Sequence, residues 1–97
     1  MVDHIVTLGI QIIPKSNKID TYELVDTAID VIQSSEVKFM VTPFETVMEG
    51  EYGNLMKIAK EAQQAVLDAG ADECLVYYRI HYSKNKDVTF KEKNLVR

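Results

Sequence analysis

The chain is poor in the residues that tie a protein to an oxidising compartment, a membrane or a metal. Cys74 is the only cysteine in 97 residues, which excludes an internal disulfide and leaves it the part of a small buried hydrophobe. No apolar run approaches the ~20 residues of a membrane-spanning helix. Met1-Val2-Asp3-His4 lacks the positive region of a signal peptide, so a cytoplasmic protein with no membrane partner is expected. His4 and His81 fall at neighbouring strand ends with opposite parity, and no H-x-x-x-H or C-x-x-C spacing exists, so no metal site is expected. Cys74 lies at the far end of its strand from His81, which leaves no nucleophilic dyad. P-loop and G-x-G-x-x-G patterns are also missing. Neither a cofactor nor a catalytic residue is expected.

The net charge of −4 is unevenly distributed: residues 1–82 carry −7 and residues 83–97 carry +3. An acidic body repels phosphate backbones, and the basic end is too short for a nucleic-acid stripe. That end is expected to lie on its own acidic surface or a neighbour's. The length fits one domain, 1–97, with 83–97 as a polar, basic C-terminal extension. A core this thin favours self-association.

Along the chain, Ile5 to Ile13 alternates as a strand, with Val6, Leu8, Ile10 and Ile12 on one face and Thr7, Gly9, Gln11 and Ile13 on the other, ended by Pro14. Asp20 with Glu23 reads as a capping box, and Val25, Ala28, Ile29 and Ile32 continue an apolar helical stripe. Val37 to Thr42 and Thr46 to Glu51 form strands around a Pro43-Phe44-Glu45 turn. Asn54 is expected to cap a second helix that closes at Gly70. Leu75 to Tyr82 is the last strand. Thr89-Phe90-Lys91-Glu92 repeats the capping-box spacing, suggesting a short terminal helix.

The order β-α-β-β-α-β predicts an α+β, ferredoxin-like domain: an antiparallel sheet ordered 4-1-3-2 with both helices on one face. The open face, carrying Ile13, Leu75 and Tyr77, is too apolar to stay wet and calls for a second copy or a ligand. Gln11, Glu49 and Arg79 fall on three adjacent strands; Gln11 and Arg79 project from that face, whereas the turn obscures the parity of Glu49. Such a cluster must be hydrogen-bonded internally or to a bound molecule. The internal alternative is a Glu49–Arg79 ion pair that sets an interface.

"GIQIIP" at 9–14, "PFETVMEG" at 43–50 and "YYRIHY" at 77–82, with the alanine-rich helix and Gly70, resemble the small thiamine-binding-protein family nearly end to end. The resemblance implies a sheet-paired homodimer that pairs again into a homotetramer. It also implies an interface pocket that binds thiamine or its hydroxymethylpyrimidine precursor without catalysis. An aminopyrimidine would suit Glu49, Thr46 and Gln11, and a thiazolium would suit an aromatic face such as Phe44 or Tyr77. With Arg79 these form the expected ligand-binding set. Phe44 could instead cover the hairpin, Tyr77 could pack between subunits, and Thr46 could serve only as a strand former. The competing class is a homo-oligomeric scaffold without a small-molecule ligand. An enzyme ranks last, because no acid–base pair in separated environments is visible.

Overall fold

The computed structural model describes residues 4–93; Met1 to Asp3 and the last four residues of the expected extension lie outside the described residues. Element order is β1 (Ile5–Lys15), α1 (Thr21–Ser34), β2 (Lys38–Val41), β3 (Thr46–Glu51), α2 (Tyr52–Asp68), β4 (Glu73–His81) and α3 (Phe90–Lys93). The sheet is antiparallel, ordered β2-β3-β1-β4. This is the ferredoxin-like order expected from the sequence.

α1 starts where its side chains supply acceptors for free backbone donors. Asp20 takes hydrogen bonds from the N–H groups of Tyr22 and Glu23. At the other end Glu36 sits at φ 64°, a left-handed position that glycine would occupy with less strain. α2 begins earlier than Asn54. The carboxylate of Glu51, the last residue of β3, accepts from Gly53 and Asn54, so strand passes directly into helix and Asn54 becomes a capped donor. Gly70, at φ 119°, ends that helix.

β1 also outruns its expected end. Pro14 pairs with Cys74 and Lys15 with Glu73. The Lys15 carbonyl accepts from Asp72, so Lys15 faces β4 and Pro14 faces away. β3 pairs with β1 only as far as Ile10, so the donor that Pro14 lacks had no partner to lose.

The core lies between the helices and one face of the sheet. Val6, Leu8, Ile10 and Met48 from the strands meet Leu24, Ile32 and Leu55 from the helices, all at most 3% exposed. Ala59 and Ala62, fully buried on α2, let the elements pack closely. Among the described residues no helix is long and apolar enough to cross a membrane. No group of three or more His, Cys, Asp or Glu among them could hold a metal.

Candidate functional site

Strand pairing fixes which side chains share the open face. Thr7 lies opposite Glu49 on β3 and His81 on β4; Gly9 lies opposite Val47 and Arg79; Gln11 lies opposite Tyr77, and Ile13 opposite Leu75. Lys38, opposite Glu49, joins the same face. The parity of Glu49 is thereby resolved.

The expected Glu49–Arg79 pair does not form, because the two side chains stand at different levels of the sheet. Glu49 Oε1 accepts the backbone N–H of Phe90 at 2.7 Å, and its Oε2 lies 3.3 Å from Lys38 Nζ. Lys38 also stands 5.4 Å over the Phe90 ring. The Thr7 hydroxyl donates to the Val88 carbonyl, and the Val88 N–H donates to the Ile5 carbonyl. Val88 is fully buried and Phe90 nearly so. Residues 87–90 therefore lie across one end of the open face and occupy Glu49 from within the chain.

Arg79 takes another carboxylate. Its Nη1 is 3.8 Å from Glu45 Oε2, and the Glu45 side chain folds back over Gly9. A Cβ at position 9 would stand 2.3 Å from Glu45 Oε1, so the glycine provides the space that the carboxylate fills. Glu45 reaches this place because its turn is tied by Thr42. The Thr42 N–H and hydroxyl both donate to the Glu45 carbonyl, while the hydroxyl oxygen accepts from Phe44 and Glu45. The ion pair is exposed on the arginine side, so its worth to stability is small.

Around it lies a shallow depression of about 230 Å³ lined by Thr7, Gly9, Glu45, Val47, Arg79 and His81. Beyond it the exposed face carries Tyr77, Leu75 and Ile13. Of the six residues singled out from the sequence, Arg79 lines this depression and Tyr77 stands beyond it on the same face, while Gln11, opposite Tyr77, reaches with Glu45 to the edge of the cavity between α1 and the β2–β3 hairpin. Glu49 shares the face but is engaged by Phe90 and Lys38.

Phe44 and Thr46 lie elsewhere. Thr46 pairs with Ile10 and Val41, points to the helix side and is 7% exposed. With Phe44 it lines a second cavity of about 240 Å³ between α1 and the β2–β3 hairpin. Sequence reading missed Gly9 and Glu45 as site residues. A glycine within a β-branched strand was the available signal, since it marks a close approach by another group.

The model of a family described as thiamine-binding protein matches residues 8–96. A UPF0045 protein of Clostridium perfringens is 38% identical over 86 residues, covering 89% of this chain and 90% of that protein. Among solved structures, a domain of unknown function, DUF77, from Bacillus cereus superposes with a TM-score of 0.91. It is 41% identical, with 94% of this chain and 88% of that chain covered. A Thermotoga maritima protein provisionally assigned to thiamine biosynthesis or salvage superposes at 0.82 with 29% identity, covering 92% of this chain and 94% of the other.

Proposed function

The chain belongs to the thiamine-binding protein family, and from that premise we propose that it binds thiamine, or the hydroxymethylpyrimidine portion of it, without converting it. The reading takes residues 1–97 as one cytoplasmic domain. The open faces of two copies meet, the dimers pair again, and the ligand lies between sheets. The observation that carries it is the family match across residues 8–96. In support, the open face combines a polar depression at Glu45 and Arg79 with the exposed apolar side chains Leu75 and Tyr77. A carboxylate, a guanidinium and the Gln11 amide around a partly dry gap can meet both the amine and the ring nitrogens of an aminopyrimidine.

Titration calorimetry with thiamine and with hydroxymethylpyrimidine tests the reading. The expected result is saturable heat and a raised melting temperature, because ligand at about 100 times Kd stabilises by about 2.7 kcal/mol. No heat and no thermal shift at millimolar ligand overturns it. The packing of residues 87–90 on the sheet favours a second reading, a homo-oligomeric scaffold in which the polar groups only set register. Deleting residues 83–97 separates the two. Loss of the oligomer with ligand binding intact assigns the extension to assembly, whereas an oligomer that never binds either ligand supports the scaffold.

A further inference from the structure

Val88 and Phe90 are buried, at 0% and 8% exposure, yet neither belongs to the apolar cluster between the helices and the sheet. They are buried on the other side, against the open face. β4 pairs with β1 only as far as His81 opposite Thr7, which leaves the N–H and C=O of Ile5 beyond the end of that ladder. The segment after β4 takes both. Asp87 Oδ1 accepts the Ile5 N–H at 2.7 Å, and the Val88 N–H donates to the Ile5 carbonyl at 2.9 Å. The chain then crosses the sheet: the Val88 carbonyl accepts the Thr7 hydroxyl on β1, the Phe90 N–H donates to Glu49 on β3, and the Phe90 ring lies beneath Lys38 on β2.

These contacts have the form of peptide recognition. Apart from the Asp87 carboxylate, every group that the sheet bonds is main chain, so the bonds hold an extended segment without reading its side chains. Selectivity comes from Val88 and Phe90, two residues apart and both turned in, which is the alternation of an extended chain. With the aspartate ahead of them they spell a pattern of acidic, apolar, any, apolar. The segment is also lightly tied to the rest of the fold. Residues 82–87 form neither helix nor strand, and residues 84–87 are exposed. Lifting residues 87–90 breaks no strand pairing and opens no part of the main core, the marks of a unit that opens on its own.

We propose that the Ile5–Thr7–Glu49 end of the open face is a groove for an extended peptide of that pattern, and that residues 87–90 are its resident, displaceable strap. The occupant in trans is the same segment of a second copy, since it carries every group that the groove bonds. Exchange between copies trades equal bonds, and the exposed residues 84–87 supply the hinge. Of the six residues expected to bind ligand only Glu49 lies in this groove, so the inference does not rest on thiamine binding.

Native-state hydrogen exchange of the intact protein tests the strap. The amides of Ile5, Val88 and Phe90 are expected to exchange together, about ten- to a thousandfold faster than those of Leu8 and Met48, at a rate that low urea leaves unchanged. Exchange at the rate of the core overturns the proposal. Calorimetry with the peptide Asn-Lys-Asp-Val-Thr-Phe-Lys, residues 85–91 with blocked ends, tests the groove. Phe90→Ala weakens the strap in the full chain and removes nothing from the main core. At millimolar peptide, the scale of the effective concentration of a tethered segment, this variant is expected to bind saturably and the parent about tenfold more weakly or not at all. The same peptide with alanine in place of its phenylalanine is expected to lose that binding. Equal binding by parent and variant, no binding by the variant, or equal binding of the alanine peptide overturns the proposal. Neither measurement contains thiamine, so failure of the thiamine reading and failure of this one are read separately.

Discussion

Thr46 and Glu49, three residues apart in β3, face opposite sides of the sheet: Thr46 lies beside Ile10 under the helices, and Glu49 beside Thr7 on the open face. Strand alternation demands this of any odd spacing. The motif "PFETVMEG" therefore feeds two environments. Thr46 serves the helix-side cavity and Glu49 anchors residues 87–90, while Glu45 reaches back over Gly9.

Glu49 is expected to act first on the C-terminal segment. Its side chain is 13% exposed and accepts the Phe90 N–H beside Lys38. Glu49→Ala should cost about 1.5–3 kcal/mol, the range for a hydrogen bond to a charged group, and should speed amide exchange at Val88 and Phe90. Glu49→Gln keeps an acceptor for Phe90 and should cost less. Urea melts with hydrogen exchange check both; unchanged exchange in Glu49→Ala would show that the segment is held by the bonds of Asp87 and Val88 to Ile5 and Thr7 instead.

Gly9→Ala places a methyl where Glu45 Oε1 now lies. The obstructing atom is the end of a flexible side chain and the backbone at position 9 is ordinary strand. Stability should therefore stay within about 1 kcal/mol, with relief of glycine entropy offsetting the loss of a weak ion pair. Glu45 should swing off the open face and leave Arg79 without it. Calorimetry should then show weaker thiamine binding at nearly unchanged melting temperature; equal affinity would remove Glu45 from the open-face site.

Glu51→Ala removes the acceptor that starts α2 three residues ahead of Asn54. A lost cap of this kind costs about 0.5–2 kcal/mol. Protection of the amides at Gly53 and Asn54 should fall, while Leu55, fully buried, keeps the rest of the helix docked. Denaturant melts and exchange rates at those two amides are the measurements.

Tyr78 gives the fold an alkaline limit. Burial pushes its pKa above the usual 10.0, with the Cys74 thiolate adding repulsion, and its hydroxyl donates to Gln63 Oε1 on α2 at 2.6 Å. A raised folded-state pKa contributes stability that is fully present below 10.0 and is lost as pH rises through the raised value. Tyr78→Phe should lose stability less steeply than the parent between about pH 9 and 11. Parallel slopes in denaturant midpoints across that range would remove Tyr78 from this role.

Local chemistry made much of the fold readable. Asp20 caps α1 because its side chain reaches two donors in the next turn, and alternation sorted Val6, Leu8 and Ile10 from Thr7, Gly9 and Gln11 without reference to any other strand. Where another element intervened, local signals misled. Asn54 looked like a cap until Glu51 supplied one from the preceding strand, and Pro14 looked like an end until β4 paired beyond it.

Element types, the split βαβ order and the apolar faces of β1 and β4 were thus determined by the sequence alone, because caps and side-chain periodicity act over a few residues, whereas the face taken by Glu49 on β3 was decided by strand pairing. The tertiary structure decided the partners of the charged groups, Glu45 with Arg79 and Glu49 with Phe90 and Lys38, and turned Thr46 to the helix side of the sheet. The physical reason is register. A pairing between Glu49 and Phe90, 41 residues apart, depends on how strands align and on where the chain crosses the sheet, and neither is encoded in any short stretch.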